Sequence, residues 1–94
     1  MFQLYYTNKF LKDIKRIKKR SQIDFDLVAE FIKTELSQKG ALGLDKKYLV
    51  HKLSGNYKNN WECHIKPDLL IIWIEIKPDN TIQLIRIGSH SDLF

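Results

Sequence analysis

The sequence predicts an α+β domain of order β-α-α-β-β-β-β, with two helices packed on an antiparallel sheet. Three observations predict it. Apolar residues recur at helical spacing from Phe10 to Leu36, and the period changes after Gly40-Ala41-Leu42-Gly43. Four short apolar segments then follow, separated by turn signals a few residues long. At 94 residues, 44% hydrophobic and 29% charged, the chain suits one domain over residues 1–94 and is too apolar for disorder.

Residues 2–6, FQLYY, are apolar and aromatic enough for a first strand. Thr7 or Asn8 then offers a side-chain oxygen to a free amide of the next turn. Phe10, Ile14 and Ile17, with Leu11 alongside, define the apolar stripe of a first helix. Ser21 to Asp24 interrupt the pattern and supply a new cap. Leu27, Val28, Phe31, Ile32 and Leu36 repeat as a second helix that stops near Gly40. So short a junction makes the two helices a hairpin on one surface.

Residues 48–53 (YLVHKL) read as a short strand ended by Ser54-Gly55-Asn56, and residues 60–65 (NWECHI) as another ended by Lys66-Pro67-Asp68. Residues 69–76 (LLIIWIEI) are almost wholly apolar, which predicts a central strand covered on both faces. Pro78-Asp79-Asn80 turns the chain into a last strand at 81–87. Connections this short imply antiparallel hairpins.

Charge is concentrated. Residues 9–20, KFLKDIKRIKKR, hold seven basic residues and one acid, so this segment is +6 in a chain of net charge +5. The other 82 residues sum to −1. One basic helix on a near-neutral body points to a polyanion or an acidic protein surface, against the plainer alternative of a solvated helix face. The first ten residues lack the pattern of a signal peptide, and the longest apolar run, 69–74, is far below the roughly 20 residues that span a bilayer. The sequence therefore predicts a soluble cytoplasmic protein. The lone Cys63 excludes a disulfide framework.

Three histidines, His51, His64 and His90, carry the possible chemistry, although a histidine in a sheet is most often half-buried and inert. Metal binding fails on spacing. Cys63 and His64 are adjacent in a predicted strand and leave opposite faces, and no histidine pair or carboxylate cluster has ligand spacing. Strand parity puts Trp61, Cys63 and Ile65 on the core face and sends Glu62 and His64 away from it. Arg86 either snorkels at a sheet edge or aims into a groove. Convergence of His51, His64, Asp68, Arg86 and His90 on one face would suit phosphodiester chemistry, with imidazoles moving protons and a guanidinium stabilising phosphate charge.

The second half also carries an ordered set of motifs: H-x-L-x-G (His51, Leu53, Gly55), H-I-x-P-D (His64 to Asp68) before an apolar strand, and R-x-G-S-H-S-x-L-F (Arg86 to Phe94). Over residues 49–94 the chain resembles the YafQ branch of the RelE-type toxins of bacterial toxin–antitoxin systems. The first half is similar only in its plan of strand, basic helix and second helix. The resemblance implies a RelE-like fold of the microbial RNase type and a ribosome-dependent mRNA endonuclease without metal or cofactor. It implies cleavage in the ribosomal A site by a ribose 2′-hydroxyl, and silencing by a cognate acidic antitoxin. Operator DNA would be reached only through the antitoxin complex, and no membrane is involved.

Carried over by position, His51, His64, Asp68 and His90 take acid–base roles, with base and acid unassigned. Arg86 balances the phosphorane's charge, and Phe94 stacks on or positions a base. Lys15, Arg16, Lys18 and Lys19 of the basic helix, with Lys52, are the expected RNA contacts. Two departures stand out: Trp61 where relatives often have arginine, and Leu69 where many have tryptophan. The alternative function is a non-catalytic RNA-binding or toxin-like subunit that acts with its antitoxin as an autorepressor.

Overall fold

A computed structural model describes residues 1–94. The chain runs β1 (Gln3–Tyr6), α1 (Asn8–Arg20) and α2 (Gln22–Phe31), which continues through a π-helical stretch, Ile32–Leu36, into α3 (Ser37–Gly43). Then come β2 (His51–Lys52), β3 (Trp61–Lys66), β4 (Leu69–Ile76), β5 (Thr81–Gly88) and a short α4 (His90–Leu93). The sheet order is β1-β5-β4-β3-β2, so the apolar strand β4 is central, as its composition predicts.

Side-chain oxygens set the helix starts. Thr7 Oγ1 accepts from Phe10 N at 3.2 Å and also donates to Leu84 O at 2.8 Å, so one hydroxyl caps α1 and ties it to β5. Ser21 Oγ caps α2 by accepting from Asp24 N at 3.1 Å. The apolar stripes of both helices, Phe10, Ile17, Val28, Phe31, Ile32 and Leu36, join Ile71, Trp73, Ile82, Leu84 and Ile87 in one buried core. The expected stop near Gly40 is a kink at φ 66°, where a Cβ would lie 2.6 Å from the Phe2 ring. Glu75 Oε2 holds the chain there, accepting from Ala41 N at 2.6 Å and Trp73 Nε1 at 2.9 Å.

Two expectations change. β1 pairs with β5 in parallel, Gln3 opposite Thr81 through Tyr6 opposite Leu84, so the sheet is mixed. The hairpin argument concerns neighbours in sequence and carries no information about a strand some 78 positions away. The strand expected at 48–53 contracts to His51–Lys52, because Lys46–Tyr48 forms a 3-10 turn and Leu49 turns left-handed at φ 54°.

The two faces of the sheet are unequal. Leu69, Ile71 and Trp73 of β4 pack under the helices, while Leu70 and Ile72 face the other way. That second face is covered mainly by Leu93, with Leu53, Tyr57 and Ile85 alongside. The candidate chemistry lies on this thinly covered face.

Candidate active site

Register places the site residues in rows across the second face. His51 is opposite Glu62, Glu62 opposite Ile72, and Ile72 opposite Arg86. His64 is opposite Leu70, which is opposite Gly88. Facing residues of antiparallel strands share a face, so Arg86 belongs with Ile72, Glu62 and His51. It does so because of a bulge. Ile72 pairs with Arg86 but Trp73 pairs with Leu84, leaving Ile85 as the extra residue. Without it, Arg86 would share Leu84's face and point into the main core.

Each histidine is held at Nδ1. His51 Nδ1 lies 2.9 Å from Leu49 O, and His64 Nδ1 3.2 Å from Pro67 O. Carbonyl oxygens only accept, so both nitrogens donate. His90 Nδ1 meets Asp68 Oδ1 at 3.0 Å, and the same oxygen accepts from His90 N at 2.9 Å. These two bonds, the backbone one foremost, hold the Asp68 carboxyl below its usual range. His90 is therefore oriented with Nε2 turned away from its partner. The His64 and His90 ring centroids are 5.7 Å apart.

Sequence reasoning missed Glu62. It points away from the main core, as parity predicts, yet it is only 4% exposed. Its Oε1 lies 3.2 Å from His51 Nε2 and 4.0 Å from His64 Nε2, and its Oε2 is buried with no hydrogen-bonding partner. A buried carboxylate with one oxygen beside two imidazoles and the other orphaned is a costly arrangement for a merely structural glutamate. Alternation with His64 along β3 was the only sequence signal for it.

Arg86 is neither snorkelling nor free. Its Nε donates to Asp13 Oδ2 at 2.7 Å and its Nη2 to Asp13 Oδ1 at 3.1 Å, a bidentate pair reaching from β5 to α1. This pairing holds the guanidinium protonated far above its already high range. Nη1 reaches Tyr57 Oη at 3.5 Å, and the Tyr57 ring meets Phe94 edge-on at 5.8 Å. Phe94, 64% exposed, stands 6.4 Å from His90. A groove of about 640 Å³ opens beside it, lined by Lys9, Ser54, Asn56, Tyr57, Leu93 and Phe94.

α4 carries the last part of the motif. Ser89 and Asp92 form a reciprocal capping box, and Asp92 also pairs with Arg20 at 3.2 Å and Arg16 at 3.6 Å. A Cβ at Gly88 would lie 2.9 Å from Asp92 Cβ, so this approach requires glycine. The structure thus brings together His51, His64, Asp68, Arg86, His90 and Phe94, and adds Asp13, Tyr57 and Glu62. The expected RNA contacts are not gathered with them, although Arg16 touches Asp13 and Lys52 follows His51 in β2. Lys15, Lys18 and Lys19 are exposed on α1, Lys52 lies over the Trp61 ring at 5.2 Å, and Arg16 is engaged with Asp13 and Asp92. Leu69 is buried in the main core, away from the site.

A family model described as a bacterial toxin of type II toxin-antitoxin systems, YafQ, matches residues 2–94. The mRNA interferase toxin YafQ of Escherichia coli (strain K12) is 29% identical over 89 residues, covering 95% of this chain and 91% of that protein. Among solved structures, a metal-bound toxin from Helicobacter pylori is 38% identical over the whole of both chains, with a TM-score of 0.83. The toxin in an E. coli DinJ-YafQ complex is 26% identical, covering 100% of this chain and 99% of that one, with a TM-score of 0.81. The metal belongs to the H. pylori relative. In this chain no group of three or more His, Cys, Asp or Glu side chains is placed to hold a metal ion.

Proposed function

The chain belongs to the YafQ family of bacterial type II toxins, and on that premise we propose that it is an mRNA endonuclease acting on the ribosome. Attack by a ribose 2′-hydroxyl on the adjacent phosphate needs a group to take its proton and another to protonate the leaving 5′-oxygen. His64 and His90 supply this pair, each fixed through Nδ1 and working through Nε2. Asp68 orients His90, while Glu62, with His51 at its Oε1, keeps a carboxylate beside His64. Arg86 meets the charge that develops on the phosphorane, and Phe94 stacks on a base lodged in the groove beside it.

The observation that carries this reading is the continuous run His51–Glu62–His64–His90–Asp68 on one face, joined through Phe94 and Tyr57 to Arg86. The charge balance is met by a guanidinium, so cleavage proceeds without a metal. Lys15, Lys18 and Lys19 approach ribosomal RNA, and the site of action is the cytoplasm. No helix is long and apolar enough to cross a membrane.

The antitoxin partner seats on the helix layer. An apolar groove of about 650 Å³ lies between β1, α1 and α2, lined by Leu4, Tyr6, Phe10, Leu11, Ile14 and Phe25 among others. The cationic face of α1 adjoins it, which suits an amphipathic acidic segment that folds on binding. In that complex the toxin reaches operator DNA only through its partner.

The test is cleavage of a defined mRNA on purified ribosomes, with and without a chelator selective for transition metals that leaves ribosomal magnesium in place. The expected products carry a 5′-hydroxyl and a 2′,3′-cyclic phosphate or the 3′-phosphate it decays to, in equal yield under both conditions. They should form far more slowly from naked mRNA. Products with a 5′-phosphate, or activity lost on chelation and restored by one added metal, would overturn the mechanism.

A further inference from the structure

Asp13 is the one acid among the seven bases of residues 9–20, and it is only 2% exposed. Four N–H groups converge on it. Besides Arg86 Nε and Nη2, Asp13 Oδ2 accepts from Ile87 N at 3.1 Å and Oδ1 from Arg16 Nη2 at 3.4 Å. The Ile87 bond has a topological cause. β1 pairs with β5 only as far as Leu84, so the later amides of β5 lack a strand on that side. The chain has by then become α1, and the Asp13 carboxylate supplies the acceptor that a strand would have supplied.

The carboxylate is therefore fixed to the main chain next to the very arginine it grips. Two of the three guanidinium nitrogens are committed to it in fork geometry, which leaves the group no rotation about its own plane. Nη1 is the end left over, and it meets Tyr57 beside Phe94. We propose that Asp13 is a positioning residue for RNA cleavage, aiming the Nη1 end of Arg86 at the scissile phosphate and balancing its charge while no RNA is bound. This role rests on the RNA-cleaving reading above. Asp13 touches no substrate and acts through Arg86 alone.

Asp13→Asn is nearly isosteric. The amide oxygen can still accept from Ile87 N and Arg86 Nε, but its NH₂ then faces the Nη2 donors of Arg86 and Arg16 and pushes the fork off its aim. Misplacement on the order of 1 Å can cost about 100-fold in rate. Cleavage on ribosomes, per folded molecule, should fall by about that factor in kcat for Asp13→Asn and at least as far for Arg86→Ala. Because one acts through the other, Asp13→Asn/Arg86→Ala should be no slower than Arg86→Ala. It should also fold at least as well, since removing both partners leaves no buried unpaired carboxylate.

A second measurement does not depend on how Asp13→Asn folds. Added methylguanidinium should restore part of the cleavage of Arg86→Ala, where the carboxylate cradle remains, and little in the double variant. An Asp13→Asn protein with wild-type kcat, independent effects that multiply, or equal rescue of both Arg86→Ala backgrounds would each overturn the role. If the wild-type chain leaves mRNA intact on ribosomes, the RNA-cleaving reading fails and this role with it. If the wild type cuts and Asp13→Asn cuts equally well, only the positioning role fails.

Discussion

Truncating Phe94 to alanine separates chemistry from stability, because two neighbouring apolar residues have opposite fates. Leu93 is 7% exposed and sits on Leu70 and Ile72, whereas Phe94 is 64% exposed and touches the fold mainly through Tyr57. A fully buried phenylalanine covers about 150–250 Å². With about a third of the residue covered, truncation uncovers on the order of 70 Å², or at most ~2 kcal/mol at about 25 cal/mol/Å². Burial already present in the unfolded chain and regained side-chain freedom reduce this to ~0.5–1 kcal/mol. That is a fall in Tm of about 2–8 °C for a domain of this size. Leu93→Ala instead removes a core side chain and should cost about 2–5 kcal/mol. Function reverses the ranking. Removing the stack on one base, worth about 1–3 kcal/mol, lowers kcat/KM roughly 5- to 150-fold. The assay is the melting temperature of both variants beside their rate of mRNA cleavage on ribosomes, normalised to folded protein. A Phe94→Ala protein that melts as early as Leu93→Ala and keeps wild-type activity per folded molecule would refute the reasoning. Phe94 would then be cover for the sheet and nothing more.

Three further outcomes follow from particular side chains. Burial pushes the Cys63 thiol up to about 12, so native protein should resist alkylation at pH 8 and react only once unfolded, as read by mass spectrometry. Asp92 is held below the usual carboxylate value of 3.8 by its bond from Ser89 N and by Arg20. A depressed folded value means its contribution is complete above 3.8 and is lost as pH falls through the lower folded value. Tm should therefore fall across that acid window in the wild type and fall less in Asp92→Asn. Reversing Lys15, Lys18 and Lys19 to Glu, while sparing Arg16 for its bonds to Asp13 and Asp92, should weaken ribosome association. It should also flatten the salt dependence by at most ~0.9 in log–log slope for each phosphate the helix no longer neutralises; unchanged binding and slope would leave those lysines to solvent.

The fold was legible wherever a local pattern decides it. β4 has the bounds its apolar run predicts, and β3 and β5 agree within a residue or so, because turn residues punctuate them. The parallel pairing of β1 was hidden because nothing in FQLYY names a partner so far along the chain. The bulge at Ile85 was hidden too, since strict alternation gives no reason to skip a residue, and with it went the face on which Arg86 lies. Asp13 did leave a signal. In the stripe Phe10, Ile14, Ile17 it occupies the i+3 position, where an apolar residue belongs, so a carboxylate there calls for a buried partner. Counting it simply as one acid among seven bases concealed that.

The positions of the hydrogen bonds have a consequence for how the three imidazoles are aimed. His51 and His64 each donate Nδ1 to a main-chain carbonyl, and carbonyls do not titrate. His90 donates to Asp68, which does titrate, but below the ordinary carboxylate range. All three rings are therefore oriented through Nδ1. Nε2 takes no part in these bonds, and in His64 and His90 that is the nitrogen the proposed reaction uses. This matters because the second face has a thin cover, with Leu93 and Tyr57 in place of a helix layer, so packing alone would not hold exposed rings to a rotamer. A loop carbonyl and a capping carboxylate hold them instead, which leaves the rings open to a long polyanion and still aimed.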